Sequence, residues 1–178
     1  RMTGLPPADY RIDTGGTDSG MNYIRVFYNA VADEASANRV TLTGTATVTG
    51  IDFALSAGGA VSGTITDSNG APIQGVMVEA SGYGVDGWFG ETETASNGTY
   101  TLSGLASGTY RIRACSSCSD MPYVDKFYDN ETSWDKASPV TVAVPGTTTG
   151  INFVLGLGTS ISGVIIGYDV ASESYIPV

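Results

Sequence analysis

The chain has 178 residues, of which 42% are hydrophobic and 15% charged, a composition typical of a folded globular protein of one large or two small domains. A net charge of −10 with only eight Lys and Arg residues argues against binding to nucleic acid or to an anionic membrane surface. The sequence contains no histidine and no apolar run long enough to cross a bilayer, which excludes His-based catalytic triads, His-ligated zinc and membrane insertion.

The sequence repeats itself at an offset of one hundred positions. Residues 4–63 align with residues 104–163 without a gap. The clearest matches are Gly4-Leu5 with Gly104-Leu105, Tyr10-Arg11-Ile12 with Tyr110-Arg111-Ile112, Phe27-Tyr28 with Phe127-Tyr128, Val40-Thr41 with Val140-Thr141, and Ser62-Gly63 with Ser162-Gly163. We therefore expect the C-terminal part of one repeat at 1–58, a complete repeat at 59–158 and the opening strands of a further repeat at 159–178.

Hydrophobic side chains in the complete repeat recur at every second position, which is the period of a β-strand. The alternating series are Val76, Val78 and Ala80; Tyr110, Ile112 and Ala114; Val140, Val142 and Val144; and Ile151, Phe153 and Leu155. Residues that favour turns separate these series at 67–72, 96–98, 104–108 and 145–146. Because no segment has the pattern of an amphipathic helix, the sequence predicts an all-β fold of two-sheet sandwiches repeated about every hundred residues.

A recognisable pattern of glycines and alternating apolar residues runs through the complete repeat. It consists of Ala60-Val61-Ser62-Gly63-Thr64-Ile65-Thr66-Asp67, Pro72-Ile73-Gln74-Gly75-Val76, Asn97-Gly98-Thr99-Tyr100 and Gly108-Thr109-Tyr110. This pattern resembles the carboxypeptidase regulatory-like domain family, a transthyretin-like (prealbumin-like), immunoglobulin-like β-sandwich often repeated in tandem in microbial secreted and cell-surface proteins. The resemblance implies that fold and an extracellular location. It implies no active site, since the catalytic zinc of carboxypeptidases belongs to a separate domain.

Cys115 and Cys118 are the only cysteines of the chain. They follow a predicted strand into a loop, whereas a redox pair needs a helix N-terminus to lower the thiol pKa, and a zinc site needs two further ligands. The sequence therefore predicts a disulfide bond between them, which indicates an oxidising, extracellular compartment. Gly15 and Asp18 occupy the aligned positions, so the fold does not depend on the bond.

Acidic residues crowd the segment that follows the cysteines. Because calcium favours clustered oxygen ligands, this segment is a candidate calcium site, with no other cofactor expected. Its candidate ligands are Asp125, Asp129, Glu131 and Asp135. The alternative is a solvated acidic loop, which the aligned residues Arg25 and Asn29 favour over calcium at positions 125 and 129.

Three aromatic residues, Tyr83, Trp88 and Phe89, lie among glycines in the segment 81–90. Exposed aromatic rings are a common platform for sugar rings, so these residues are candidates for binding a surface glycan. The alternative is that Trp88 and Phe89 fold back over a sheet edge. A glycosidase requires two carboxyls close together beside a sugar cleft. Glu91 and Glu93 share a strand face and could lie near each other, but their pattern is that of solvent-side strand residues. We therefore expect no enzymatic activity.

The segment 159–178 has the pattern of opening strands. Its apolar residues Ile161, Val164, Ile165 and Ile166 are predicted to form an assembly strand that adds to the sheet edge of another copy, head to tail. The alternative is that adjacent repeats of one chain complete each other. Both interpretations predict a structural or adhesive repeat of a secreted or cell-surface protein, and the first predicts a filament. The rival function is a carbohydrate-binding accessory module of a secreted hydrolase.

Overall fold

The computed structural model describes residues 1–15, 21–32, 34–45, 47–84, 87–164 and, as backbone, 166–169 and 174–177. Its strands are β1 Ala8–Tyr10, β2 Val40–Leu42, β3 Gly59–Asp67, β4 Met77–Gly82, β5 Trp88–Glu93, β6 Thr99–Leu105, β7 Gly108–Cys115, β8 Lys126–Phe127, β9 Val140–Val142, β10 Thr147–Thr148, β11 Phe153–Leu155, β12 Ile166–Asp169 and β13 Ser174–Pro177. Short 3-10 turns occur at Ser117–Ser119 and Trp134–Lys136. The prediction of an all-β class is confirmed, and none of the described residues forms a helix that could span a bilayer.

Residues 59–155 form an open sandwich of two sheets. In the first sheet, β3 pairs antiparallel with β6 on one side and parallel with both β10 and β11 on the other. In the second sheet, β4 lies between β5 and β7, and β7 then pairs with β9 along its first half and with β8 near its end. The strand that opens this unit, β3, therefore lies beside the strand that closes it, β11.

The predicted alternation fills the space between the two sheets. Val78 of β4 and Ile112 of β7 are fully buried, whereas the neighbours of each along its own strand are partly exposed. The core consists of Val61, Ile65, Ile73, Val76, Val78, Ala80, Tyr100, Leu102, Leu105, Tyr110, Ile112, Ala114, Val140, Val142, Ile151, Phe153 and Leu155. Each large aliphatic side chain buried there contributes about 1.5–3 kcal/mol before entropy is counted. Val144, expected to continue the series, is 36% exposed because the chain turns after β9.

Gly63 marks the closest approach between β3 and the strand beside it. A Cβ atom at this position would overlap the carbonyl oxygen of Ile151, so only glycine fits. On either side, Ile151 N donates to Ser62 O at 3.1 Å and Thr64 N donates to Asn152 Oδ1 at 2.9 Å. These contacts fix the register of β3 against residues 151–155.

The backbone of residues 1–58 makes hydrogen bonds that recur one hundred positions later. Tyr28 N donates to Ile12 O at 2.8 Å, and Tyr128 N donates to Ile112 O at 2.9 Å. Two further matched pairs are Ile24 N to Ser56 O with Val124 N to Gly156 O, and Phe27 N to Val31 O with Phe127 N to Glu131 O. β1 pairs with β2 in the register in which β7 pairs with β9. The aligned segments therefore share backbone geometry as well as sequence.

Asn22 joins the first 58 residues to the sandwich. Its Nδ2 donates to Gly58 O at 2.9 Å, and its Oδ1 accepts from Gly104 N at 2.9 Å. Gly58 is buried, and a Cβ atom there would lie 2.7 Å from Gly104 Cα. The junction is thus both close-packed and hydrogen-bonded.

Candidate functional site

The solvent-facing side of the second sheet carries a stacked arginine. β4 and β7 pair so that Ser81 lies opposite Arg111. The guanidinium carbon of Arg111 is 4.5 Å from the centre of the Tyr83 ring and 4.6 Å from that of Trp134, and Nη1 donates to Gly82 O at 2.8 Å. We call Tyr83, Arg111 and Trp134 the aromatic-arginine stack. Cation–π contacts at exposed sites contribute about 0.5–1 kcal/mol each, so the stack adds modestly to the stability of this face.

The three candidate sugar-binding residues do not form one platform. Trp88 pairs with Ser81 across a bulge in the ladder, which places its side chain on the solvent-facing side, and it is 47% exposed. Phe89 is the next residue and points to the other face, where its ring packs edge-on against Tyr110 with centroids 5.4 Å apart. Tyr83 is 42% exposed but already stacks on Arg111. Glycan binding remains a prediction, with Tyr83 and Trp88 as the residues best placed for it.

A row of charged side chains crosses the same face. Arg113 Nη1 lies 3.2 Å from Glu79 Oε2, and its Nη2 lies 2.7 Å from Asp125 Oδ2. Asp125 also accepts hydrogen bonds from the amide N of Ser117 at 2.9 Å and from its hydroxyl at 2.6 Å. Burial by itself would raise the pKa of the Asp125 carboxyl, but the Ser117 hydrogen bonds and the Arg113 guanidinium outweigh it and hold the pKa below its ordinary value.

The four candidate calcium ligands make different contacts and lie in different parts of the segment. Asp125 is occupied by Arg113 and Ser117, and Asp129 accepts a hydrogen bond from Ser138 at 3.1 Å. Glu131 forms a β-bridge with Phe127, and Asp135 lies in the second 3-10 turn. Within the described part of the chain, the one group of three potential ligand residues is Glu79, Cys115 and Cys118. The four carboxylates are therefore not gathered into a site, and calcium stays an untested prediction.

Cys115 and Cys118 form the predicted disulfide bond, with Cα atoms 5.3 Å apart. Because both sulfurs are bonded to each other, neither is free to ligate a metal beside Glu79. The bond closes the loop between the end of β7 and the first 3-10 turn. Its role is structural.

An ion pair of opposite polarity occupies the equivalent place in residues 1–58. Asp13 lies 3.0 Å from Arg25, where the aligned residues are Arg113 and Asp125. In both pairs the guanidinium lies over the phenylalanine ring at the aligned position, Arg25 at 4.9 Å from Phe27 and Arg113 at 6.0 Å from Phe127. The sequence contained a signal for this pair, since the charges at both aligned positions reverse together.

A cavity of about 800 Å³ opens in residues 1–53. Its apolar lining includes Leu5, Tyr10, Ile12, Val40, Leu42, Val48, Ile51 and Phe53. We call it the first-unit groove. Leu5 and Val48 are 41% and 42% exposed, whereas Leu105, the residue aligned with Leu5, is 1% exposed at the end of β6, opposite Gly59 of β3. The groove is thus the part of the repeated geometry that no described strand covers.

The residues of the predicted assembly strand are accessible where the structure describes them. Ile161 is 102% exposed and Val164 is 76% exposed. Ile166 begins β12, opposite Pro177 of β13, and Ile165 lies outside the described residues. The apolar side chains at 161 and 164 therefore have no cover within the described chain.

Comparison with known proteins gives one family and several distant folds. The family model of the carboxypeptidase regulatory-like domain matches residues 60–156, which is the described sandwich. No curated protein matches the chain.

The solved structures to which the chain is similar are distant. 5-Hydroxyisourate hydrolase of Klebsiella pneumoniae is 20% identical with a TM-score of 0.38, over 57% of this chain and 87% of that one. A Streptococcal ancillary pilin is 15% identical with a TM-score of 0.39, over 98% of this chain and 57% of the pilin. The major pilin subunit of Bacillus cereus is 13% identical with a TM-score of 0.36, over 87% and 41%. The chain also matches the Bacillus anthracis TIE protein, of which it spans 16%.

Proposed function

This chain belongs to the carboxypeptidase regulatory-like domain family, and from that membership we propose that it is a non-enzymatic structural or adhesive module of a secreted or cell-surface protein. The disulfide supports an oxidising compartment. The net charge of −10 supports a soluble surface without affinity for nucleic acid. Its partners in this proposal are copies of itself or adjacent repeats of the same chain.

The proposal includes a tandem array of hundred-residue units. Its support is the recurrence of the same backbone hydrogen bonds and of the ion pair at residues 13 and 25 and again at 113 and 125. Units that contact mainly their neighbours build extended, rod-like molecules. The close-packed junction at Asn22 suits such a rod, because it limits bending between consecutive units.

The observation that carries the proposal is the parallel pairing of the opening and closing strands. β3 begins at Gly59 and β11 ends at Leu155, and the two run side by side in the same direction. Tension applied at the two ends of the unit pulls these strands along their axes in opposite directions. The hydrogen bonds between them are then loaded together, in shear, rather than opened one after another. This geometry suits a module whose role is to transmit force.

Single-molecule stretching of the full chain tests the proposal. We expect residues 59–155 to unfold in one cooperative event that releases about 3.5 Å of length per residue. Because forced unfolding is governed by the unfolding rate, Asn152→Ala should lower the rupture force by removing the acceptor of Thr64 N. Asp52→Ala, at the aligned position, is the matched control and should leave the rupture force unchanged. Gradual extension at low force would contradict the proposal.

A second candidate function, carbohydrate binding by an accessory module of a secreted hydrolase, is favoured by the exposed rings of Tyr83 and Trp88. A glycan array probed with the chain and with Trp88→Ala separates the two functions. Binding that Trp88→Ala abolishes would favour this second candidate. Phe89→Leu, which changes the ring on the opposite face, is the control for folding.

A further inference from the structure

We propose that the reduced form of the chain binds one zinc ion through the thiolates of Cys115 and Cys118 and the carboxylate of Glu79. In the oxidised form the disulfide bond closes the same loop, so zinc and the disulfide are alternative cross-links at one place in the fold. All three residues lie inside the sandwich of residues 59–155. This site goes beyond the proposed function and does not rest on it.

The three ligand atoms already lie together at the outer face of the second sheet. The carboxylate of Glu79 and the sulfurs of Cys115 and Cys118 lie within 4.8 Å of one another, and Glu79 Oε1 is 3.9 Å from Cys118 Sγ. In a tetrahedral zinc site, Zn–S bonds of about 2.3 Å and Zn–O bonds of about 2.0 Å place sulfur and oxygen about 3.5 Å apart. The carboxylate is therefore within about half an ångström of the distance that zinc requires.

The cysteine loop suits a pair of thiolates as well as a disulfide. The two cysteines are separated by two residues, which is a common ligand spacing in structural zinc sites. The backbone N of Cys118 donates a hydrogen bond to Cys115 Sγ at 3.2 Å. A hydrogen bond to sulfur favours the thiolate over the thiol, and the thiolate is the form that binds metal. The loop thus supplies both the spacing and a donor to the buried sulfur.

The ion pairs of Arg113 orient the carboxylate that completes the ligand set. Arg113 Nη1 lies 3.2 Å from Glu79 Oε2, which leaves Oε1 as the oxygen beside Cys118. Outer contacts of this kind fix the orientation of metal ligands. Asp125 already accepts hydrogen bonds from Arg113 and Ser117, so we place it outside the ligand set. The fourth position of the zinc ion is then filled by water.

The charge of the site after reduction also favours a divalent cation. The carboxylates of Glu79 and Asp125 and the guanidinium of Arg113 have a formal sum of −1. Two thiolates change that sum to −3, and one divalent ion restores it to −1. Thiolates are soft ligands, which select zinc over calcium or magnesium. The site therefore differs in metal and in ligands from the candidate calcium site at residues 125–135.

Zinc binding requires that the disulfide first be reduced, by a dithiol or by a phosphine. A dithiol reduces it by exchange and is itself oxidised to a disulfide. A phosphine gives two electrons to the S–S bond, water supplies one proton to each sulfur, and the oxygen of that water remains on phosphorus as a phosphine oxide. Zinc then displaces the two thiol protons. Cys118 is exposed, so the reductant reaches the bond from solvent.

Titration of the full chain with Co²⁺, after reduction by a phosphine, tests the site. We expect binding of one Co²⁺ per chain, with thiolate-to-cobalt charge-transfer absorption and the strong visible bands of tetrahedral coordination, and we expect Zn²⁺ to displace the cobalt. The oxidised chain should show neither absorption. Cys118→Ser, which changes an exposed residue, should abolish this stoichiometric binding.

Two carboxylate variants form a matched pair. Glu79→Gln should weaken Zn²⁺ binding at least about tenfold, since loss of a ligand costs no less than loss of an outer contact. Glu93→Gln removes the same charge from β5, at a residue outside the ligand group, and should leave the affinity unchanged. Circular dichroism of the oxidised variants checks that both are folded. In the unaltered reduced chain, Zn²⁺ should protect both thiols from alkylation, whereas Ca²⁺ should not.

The proposal is overturned if the reduced chain binds neither Co²⁺ nor Zn²⁺, or if the oxidised chain binds them equally well. It is also overturned if Glu79→Gln binds Zn²⁺ as tightly as the unaltered chain, or if Ca²⁺ protects the thiols as well as Zn²⁺ does. The stretching experiment uses the oxidised chain, so its outcome does not depend on zinc. A chain that resists force but binds no metal would refute this inference while leaving the proposed function in place.

Discussion

At the scale of single residues, the two aligned segments carry different side chains at equivalent positions. Arg111 stacks between Tyr83 and Trp134, whereas Arg11 pairs with Glu34 at 2.8 Å. Exposed ion pairs and exposed cation–π contacts are both weak, at about 0.2–1 kcal/mol. Either set of contacts therefore stabilises its guanidinium by a similar free energy. The geometry of the face is retained while its surface chemistry changes.

The reversed ion pair leads to a prediction for a double-mutant cycle. Arg113→Asp and Asp125→Arg should each lower the free energy of unfolding, because each leaves like charges together in a partly buried site. Combined, they reproduce the polarity of Asp13 and Arg25, and we expect a favourable coupling of about 1–2 kcal/mol by urea denaturation. The same exchange at Arg11 and Glu34, which are more exposed, should show a coupling of about 0.5 kcal/mol or less. Zero coupling at 113 and 125 would show that the pair does not act as a unit.

The Asp125 carboxyl also makes stability depend on pH. Its pKa is lowered in the folded chain, and that of Asp13 is lowered chiefly by the hydrogen bond from Arg25. A lowered folded pKa contributes stability above the unfolded pKa of about 3.9, and this contribution is lost as pH falls through the folded pKa. We expect the free energy of unfolding to decrease as pH falls below about 4, and Asp125→Asn to reduce that slope. Equal slopes in the two proteins would contradict the assignment.

At the scale of elements, the position of β3 depends on a glycine that the sequence repeats. Gly63 and Gly163 each follow a serine in aligned segments, but one is packed against a carbonyl and the other faces open space. The Ser-Gly dipeptide therefore has a steric role at Gly63. At Gly163 it has none within the described residues. This contrast provides an internal control.

Gly63→Ala should lower the free energy of unfolding by about 2–4 kcal/mol, because the added methyl group meets a backbone carbonyl that cannot move without displacing residues 151–155. Gly163→Ala should change it by less than about 0.5 kcal/mol. Denaturant unfolding of the two variants compares these effects. Similar effects at both positions would mean that β3 tolerates a side chain at its closest approach.

At the scale of the whole molecule, the junction at Asn22 joins residues 1–58 to the sandwich. Asn22 satisfies both the carbonyl of Gly58 and the amide of Gly104, and both glycines are buried. The aligned residue is Pro122, which has no side-chain donor. Gly158 N nevertheless donates to Pro122 O, as Gly58 N does to Asn22 O. The backbone contact is therefore repeated, and Asn22 adds a side-chain bridge to it.

Asn22→Ala should loosen the junction without unfolding the sandwich. Loss of the two hydrogen bonds leaves buried backbone groups unpaired, at about 1 kcal/mol each. We expect faster hydrogen exchange at the amide of Gly104, by about tenfold, with little change in the core strands β4 and β7. The exposed substitution Asn38→Ala is the control. Unaltered protection at Gly104 would show that close packing alone holds the junction.

The sequence by itself determined the strands, the core and the disulfide. Alternating apolar residues predicted β4 and β7, the series ending at Leu155 supplied buried residues, and the cysteine spacing predicted the bond. These features are local, because strand period, turn residues and a short cysteine loop are read within a few positions of one another. The sequence also shows the reversal of charge between residues 13 and 25 and the aligned residues 113 and 125.

Only the tertiary structure decided which side chains meet. The bulge in the β4–β5 ladder set Trp88 rather than Phe89 opposite Ser81, on the solvent-facing side, and the pairing of β7 with β8 brought Arg113 beside Phe127. The fold also brought Arg113 into an ion pair with Asp125, one of the four candidate calcium ligands. Parallel pairing of β3 with β11 and the bridge from Asn22 to Gly104 likewise join residues about ninety positions apart. Such contacts depend on strand register and sheet packing, which are set by the whole core rather than by neighbouring residues.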